Sequence, residues 1–387
     1  MSEERPERTK TRVWWSQFEG PERQRRLALL MIALVIVLAF PFIDRLFRLN
    51  LETKAIPIGI FIILALGLNV VVGFAGLLDL GYAAFFAIGA YTIAFLTSPA
   101  SPFEWVRADP LSFWLAMAAS TVVAAIFGVI IGAPTLRLRG DYLAIVTLGF
   151  GEIIPLVIRN TPQFTRGVQG MNPIALPELP FVRFGVIDLD PWYYLVIVVV
   201  LGSVFLTARL RSSRIGRAWM AVREDEVAAA SMGVNLVTTK LFAFALGASF
   251  SGFAGSIWAS HIQVISPDQF SFAISIFVLA MIILGGMGNI WGVIAGGLIL
   301  GGFDRVLFER LNELIRGMGR VFEIPFLLEA DTQRLKTAVY GAALVIMMLV
   351  RPEGLFPSGR RKMELHAAEE SEVEAAQQRE TLFETQR

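Results

Sequence analysis

Ten apolar runs divide this sequence, and each is long enough, or nearly so, to cross a lipid bilayer as an α-helix. A transmembrane helix needs about 17 to 25 predominantly apolar residues. Hydrophobic residues make up 55% of the chain and charged residues only 17%, and the mean hydropathy of +0.62 is above that of a soluble domain. The sequence therefore predicts an all-α integral membrane protein with about ten transmembrane helices. The predicted spans are Leu27–Ile43, Ala55–Val72, Gly76–Thr97, Leu111–Pro134, Tyr142–Ile158, Pro191–Ala208, Leu241–His261, Ser271–Gly285, Asn289–Phe303 and Leu335–Val350.

Glycines interrupt the apolar sequence at two places. One group lies in and between the second and third spans, and the other lies between the eighth and ninth, which are short. The short pair is either two spans or one broken helix with a re-entrant piece. Glycine-interrupted segments in corresponding parts of two halves are typical of transporters with internal repeats and broken helices around a central site. Close packing between helices accounts for about half of these glycines.

Basic residues collect in the segments on one side of the predicted membrane, which the positive-inside rule makes cytoplasmic. With ten spans, both termini lie on this side. The basic residues are Arg5, Arg8, Lys10, Arg12, Arg23, Arg25, Arg26, Arg137, Arg139, Arg209, Arg211, Arg214, Arg217, Arg223, Arg351, Arg360, Arg361 and Lys362.

This topology divides the chain into a cytoplasmic leader (residues 1–26), a transmembrane domain (27–358) and a cytoplasmic tail (359–387). The first run has no small-x-small cleavage motif after it and is expected to be a retained anchor. Residues 159–190 form a periplasmic loop that either meets an external partner or only connects two spans. Residues 209–240 are too polar to span the membrane and too helix-prone for a linker, which predicts a cytoplasmic docking surface.

Several kinds of chemistry are excluded by the residues present. The chain has no cysteine and two histidines, too few for a thiolate or imidazole metal site. It has no G-x-x-x-x-G-K-[ST] motif to hold nucleotide phosphates, and the G-x-G of GGMGNIWG follows no strand. The net charge of +1 gives no indication of nucleic-acid binding. We therefore expect no catalytic residue, metal or cofactor in this chain, and a conduit that something else drives.

A few polar residues lie within the apolar spans, where ionisable groups normally face a bundle interior or a watery cavity. Asp79 and Glu152 are expected either to line or gate a path, or to cap a broken helix or pair with Arg139 or Arg159. The candidate path or gate residues are Asn69, Gly73, Gly76, Asp79, Tyr82, Thr147, Glu152 and Gly288.

Six segments resemble the LivM-type permease family of bacterial branched-chain amino acid ABC importers. They are GLNVVVGFAGLLDLGYAAFFAIGAY (67–91), LRLRGDYLAIVTLGFGEII (136–154), GRAWMAVREDEVAAASMGVN (216–235), KLFAFALGASFSGFAGSIWA (240–259), LGGMGNIWGVIAGG (284–297) and RPEGLF (351–356). The resemblance covers most of 57–356, in the right order.

This resemblance implies the membrane subunit of a type II importer in the bacterial inner membrane. The expected partners are a second, LivH-type permease, two ABC ATPases that use ATP and magnesium, a periplasmic branched-chain amino acid binding protein, and membrane lipid, with no nucleic acid. Residues 216–235 would be the helix that couples to an ATPase. Its E-A-A-x-x-x-G pattern is imperfect, with Val227 at the glutamate position. The implied coupling residues are Gly216, Arg217, Arg223, Glu224, Asp225, Glu226, Ala228, Ala229 and Gly233.

These observations are relevant to three classes of membrane protein. A driven permease needs the docking segment, a passive channel does not, and a membrane enzyme needs a reactive site that the sequence lacks. Among permeases the alternative is a urea or short-chain amide importer, whose permeases share this architecture. The segment LRGDYLAIVTLGFGEI favours amino acids.

Overall fold

A computed structural model describes residues 35–47, 51–135, 138, 140–180, 182–185, 188–310, 313, 317, 332–351 and 354–356. The chain divides into two compact units, Met1–Glu52 and Thr53–Arg387. In the first unit, helix α1 covers residues 35–47. The carboxylate of Asp44 accepts hydrogen bonds from the backbone N–H groups of Leu51 and Glu52, at 3.0 and 3.2 Å. This side chain satisfies N–H groups that have no partner within the helix beginning at Glu52.

Helix α2 (Glu52–Leu68) continues as a π-helical turn over Asn69–Phe74, and every residue from Ile56 to Phe74 is buried. The chain then leaves the helical path, because Gly76 has a φ of +70°, which glycine adopts readily and which ends a helix. Helix α3 (Tyr82–Thr97) follows. The predicted span Gly76–Thr97 was therefore wrong at its start, since the helix begins only at Tyr82.

The core of the second unit is formed by α3, α5 (Phe113–Thr135) and α11 (Leu236–Ile262), whose backbones lie in close contact. The short helix α4 (Glu104–Ala108) precedes α5. The hydroxyl of Ser120 on α5 lies 2.7 Å from the carbonyl oxygen of Gly89 and 3.1 Å from that of Gly252. Small residues at these crossings let the three backbones approach one another, as is typical of membrane helix bundles.

The described part of 159–190 is ordered. Helix α6 (Asp141–Asn160) leads into the single turn α7 (Pro162–Thr165), a 3₁₀ turn and a two-stranded antiparallel hairpin. The hairpin pairs β1 (Glu178–Leu179) with β2 (Val182–Arg183). Met171 and Ile265 exchange backbone hydrogen bonds of 3.0 and 3.2 Å, which attach this segment to the chain after α11.

The polar segment 209–240 is helical, as its composition indicated. Helix α8 (Leu189–Ser212) is followed by α9 (Arg214–Glu224) and α10 (Glu226–Ser231). The indole N–H of Trp219 on α9 donates to the carbonyl oxygen of Thr239 at 2.8 Å, which fixes α9 against the start of α11.

The two short predicted spans are separate helices, α12 (Phe272–Gly285) and α13 (Ile290–Gly302), and α13 continues through a π-helical turn at Phe303–Leu307. Helix α14 covers Thr332–Val350. The chain after it returns to α12, because the backbone N–H groups of Leu355 and Phe356 donate to Leu284 and Gly285, at 2.8 and 3.0 Å.

Seven helices of the described residues are long and apolar enough to cross a membrane. Helices α1, α3 and α14 overlap the other three predicted spans, so each predicted span overlaps a helix of the described residues, and the all-α membrane fold is confirmed. The leader 1–26, most of residues 304–333 and the tail 359–387 lie outside the described residues.

Candidate functional site

Two interruptions of the transmembrane helices lie against each other. We call residues 69–81 the first break and residues 286–289 the second break. The side-chain oxygen of Asn69 accepts a hydrogen bond from the backbone N–H of Gly288 at 2.9 Å, with both groups buried. A Cβ on Gly288 would lie 3.2 Å from the carbonyl oxygen of Gly73. The structure therefore brings together the candidate residues Asn69, Gly73 and Gly288, although Asn69 and Gly288 are 219 residues apart in the sequence.

Arg223 joins this pair of breaks from residues 209–240, the segment that the sequence predicts to be a docking surface. Its Nη1 donates to the carbonyl oxygen of Gly73 at 2.5 Å. Gly73 is in the last turn of its helix, where carbonyl groups have no later turn to bond with and attract cations. A Cβ on Gly76 would lie 2.6 Å from the Cγ of Arg223. Arg223, predicted as an ATPase contact, thus turns toward the transmembrane helices.

Asp79 and Thr147 hold the buried start of α3. The carboxylate of Asp79 accepts from the backbone N–H of Gly81 at 2.9 Å, and the Thr147 hydroxyl accepts from Leu80 at 3.0 Å. Both residues are almost fully buried. These N–H groups belong to the two residues before α3, which has no side-chain cap at Gly81, and the N–H of Ala83 in its first turn donates to the hydroxyl of Ser275 at 2.9 Å. Both interpretations of Asp79, the path or gate and the helix cap, stay predictions.

Tyr82, at the first position of α3, is also buried. Its hydroxyl donates to the carbonyl oxygen of Gly247 on α11, at 2.8 Å. This bond crosses the helix core and is consistent with a packing role for the side chain.

Glu152 has a different environment from the other candidate path residues, because it lies on the open face of α6. Only five of the 20 residues of α6 are buried within the chain. Tyr142, Ile145 and Leu156 lie on the same exposed stripe, at helical spacing. Pairing with Arg159 does not occur, because Arg159 forms an ion pair with Asp268 at the far end of α6. Arg139 lies outside the described residues.

Two acidic residues of the predicted docking segment, residues 209–240, are engaged within the chain. Asp225 caps α10, since its carboxylate accepts from the N–H groups of Val227 and Ala228, at 2.7 and 3.0 Å. Glu226 forms an ion pair with Lys240 at 2.6 Å. These contacts give both carboxylates a role in the shape of the segment.

Gly233 ends α10 with a φ of +86°. Its own N–H bonds to Ala230 and that of Val234 bonds to Ala229, at 3.0 and 3.1 Å, which is the Schellman arrangement. Ala229 is buried, whereas Ala228 is exposed. The small residues of the pattern therefore face in different directions.

Two exposed apolar side chains on the docking segment were missed by the sequence reasoning. Val227 is 67% exposed and Met232 is 86% exposed, at the two ends of α10. The signal was present in Val227, an apolar residue where the family pattern has glutamate. Of the other candidates, Gly216 is buried in the first turn of α9, and Arg217 is exposed and donates to Ser212 at 2.9 Å. Glu224 is exposed at the end of α9.

Comparison with known proteins gives consistent matches. The model of the branched-chain amino acid transport system / permease component family matches residues 50–348. The high-affinity branched-chain amino acid transport system permease protein LivM of Salmonella typhimurium is 38% identical over 361 residues, which cover 88% of this chain and 77% of that protein. The LivM protein of Escherichia coli is 37% identical over 90% of this chain and 78% of its own length.

A weaker similarity extends to the other permease of the same kind of system. The high-affinity branched-chain amino acid transport system permease protein LivH of Escherichia coli is 25% identical over 316 residues, which cover 79% of this chain and 92% of that protein. No solved structure matches the chain.

Proposed function

Because the chain belongs to the family of permease components of branched-chain amino acid transport systems, we propose that it forms half of a translocation path that separate ATPases drive. It is a multi-pass membrane transporter subunit. The substrates are leucine, isoleucine and valine, as the names of the LivM relatives indicate, in preference to urea or a short-chain amide.

The second half of the path is a LivH-type permease. This proposal is supported by the similarity of the chain to both LivM and LivH proteins, since two related subunits can pack about a shared axis. In this chain, the open face of α6 is the surface for that path. A carboxylate exposed to lipid near the middle of a span is costly, so Glu152 faces water or polar groups of the second permease.

ATP and magnesium bind to partner ATPases, and this chain binds no cofactor of its own. The chain has no phosphate-binding loop, whereas residues 209–240 offer a folded, partly apolar docking surface. In the proposed orientation the termini and this segment are cytoplasmic, in the bacterial inner membrane, and residues 159–190 face a periplasmic binding protein. The distribution of arginine and lysine supports this orientation.

Reconstitution in vesicles tests the function. We expect leucine uptake only when this chain, a LivH-type permease, both ATPases, a loaded binding protein and ATP are all present. Leaving out any one component should reduce uptake to the background of empty vesicles, because each supplies a part that this chain lacks. Saturable leucine flux through this chain alone, without ATP, would contradict the proposal and indicate a passive channel.

Glu152 and Asp79 provide a matched pair for locating the path. In Glu152→Ala we expect uptake to fall about tenfold or more while the amount of assembled complex stays the same, since the exposed side chain is replaced without leaving a buried polar group of this chain unpaired. In Asp79→Ala we expect assembled complex and uptake to fall together, because the N–H of Gly81 loses its buried partner. Quantitative blotting of purified complex beside radiolabelled leucine uptake measures both. Parallel losses in Glu152→Ala would remove α6 from the path.

A further inference from the structure

We propose that Arg223 is a positioning residue that ties the docking segment to the first break, so that a displacement of the docking segment moves the ends of the broken helices. This inference rests on the proposed function, because it concerns how an ATPase at residues 209–240 acts on the transmembrane helices. It identifies a side chain for that step.

The contact itself is strong and directional. Arg223 lies in the last turn of α9, just before the docking helix α10, and its Nη1 donates to the carbonyl oxygen of Gly73 at 2.5 Å. Hydrogen bonds from a charged donor are shorter and stronger than neutral ones. The acceptor is at the C-terminal end of a helix, whose partial negative charge favours a cation.

Two glycines, Gly76 and Gly288, leave space for the side chain of Arg223. A Cβ on Gly76 would lie 2.6 Å from the Cγ of Arg223, and a Cβ on Gly288 would lie 3.4 Å from its Nη1. Both glycines also have positive φ, at +70° and +80°, which other residues rarely adopt. The guanidinium therefore lies at the junction of the two breaks.

Asn69 in the first break is hydrogen-bonded to the second break. Its side-chain oxygen accepts from the N–H of Gly288 at 2.9 Å, so a shift of the π-helical turn is passed to the turn between α12 and α13. In the same turn, the side-chain amide nitrogen of Asn289 donates to the carbonyl oxygen of Phe356, after α14, at 2.8 Å. Side chains thus connect the docking segment to four transmembrane helices.

The test uses the complete complex with Arg223→Gln. We expect leucine uptake to fall at least about tenfold while the ATPases remain bound, because the charge-assisted bond is lost but the exposed docking surface is unchanged. ATP hydrolysis should no longer rise when loaded binding protein is added. Arg223→Lys should keep part of the uptake, since lysine retains the charge but reaches the carbonyl with a compact ammonium group.

A conformational readout separates positioning from docking. The chain contains no cysteine, so Leu78→Cys places its single thiol in the first break. We expect maleimide to label this thiol faster in Arg223→Gln than with Arg223 present, because the break is no longer held. The matched control is Arg107→Gln on α4, which removes an arginine that donates to the carbonyl oxygen of Pro102 at 3.4 Å, away from both breaks. It should change neither uptake nor labelling.

Two outcomes would overturn the inference. One is Arg223→Gln with normal leucine uptake and normal stimulation of ATP hydrolysis by the loaded binding protein. The other is Arg223→Gln that releases the ATPases while the labelling rate of the Leu78→Cys thiol stays the same, which would make Arg223 a docking contact only. A complex with Arg223 present that shows no ATP-driven leucine uptake would instead contradict the proposed function.

Discussion

Gly252→Leu is expected to remove most of the folded chain from the membrane. A Cβ on Gly252 would lie 2.6 Å from the Cβ of Ala124 and 2.7 Å from the carbonyl oxygen of Ser120, both on α5. The second atom belongs to the backbone, so no side-chain rotation relieves the contact, and α5 and α11 must separate. Overpacking a core typically costs about 1 to 3 kcal/mol, and we expect the upper end or more here.

The same separation would break the polar contacts of the core. Ser120 lies within hydrogen-bonding distance of the carbonyl oxygens of Gly89 and Gly252, so moving α5 away takes both acceptors from this buried hydroxyl in an apolar interior. Leucine suits a membrane span, so insertion itself should be unaffected. The measurements are the yield of monodisperse chain in detergent and its thermal unfolding midpoint.

Gly202→Leu on α8 is the matched control for this prediction. A Cβ on Gly202 meets no atom within 4 Å, and the residue is exposed, so the same substitution should leave yield and unfolding midpoint nearly unchanged. Gly252→Ala should give an intermediate loss, because it adds the clashing Cβ without the rest of the side chain. If Gly252→Leu and Gly202→Leu behaved alike, close packing of α5 and α11 would not be what holds this core together.

Hydropathy located the spans because lipid constrains both their length and their composition. It failed at the start of α3, since the leucines between Gly76 and Tyr82 raise the hydropathy of a segment that is not helical. The break depends on the positive φ of Gly76 and on the side chains that hold the start of α3. Hydropathy sums the transfer free energies of individual residues, so it contains neither the backbone angle of Gly76 nor these side-chain contacts.

The polar candidates could be chosen from the sequence, but their roles could not. Asp79 and Glu152 have the same chemistry and both lie in apolar sequence, yet one is buried at a helix start and the other lies on an open face. The contact of Asn69 with Gly288 spans 219 residues. A single sequence gives periodicity along the chain, and it carries no direct information on which distant residues meet.

In the docking segment, the family pattern drew attention to charge and small residues, whereas the structure exposes apolar ones. Asp225 and Glu226 are engaged within the chain, and Ala229 is buried. Helix α10 is only six residues long, so its periodicity is too short to indicate which face is exposed. The exposed face of this helix became evident only from its cap and its packing against α9 and α11.

The double variant Val227→Asp/Met232→Asp is expected to abolish ATP-driven uptake by preventing the ATPase from docking. These side chains are 67% and 86% exposed, at the two ends of α10 in the segment proposed to contact the ATPase. Interface residues at the centre of a contact contribute about 2 kcal/mol or more each. A buried carboxylate without a partner adds a further penalty. We therefore expect ATPase binding to this chain to weaken by at least about 30-fold.

Co-purification of the ATPases with the tagged chain measures this loss, beside leucine uptake in vesicles. The conservative double variant Val227→Ile/Met232→Leu keeps the apolar surface and should retain both ATPase co-purification and leucine uptake. This control shows whether the loss comes from the introduced charge and not from changing these two positions. Neither of the two side chains is needed for the fold of α10. The carboxylate of Asp225 caps its start, and the backbone N–H of Gly233 caps its end by donating to Ala230. Normal ATPase co-purification with Val227→Asp/Met232→Asp would show that the docking surface lies elsewhere on residues 209–240.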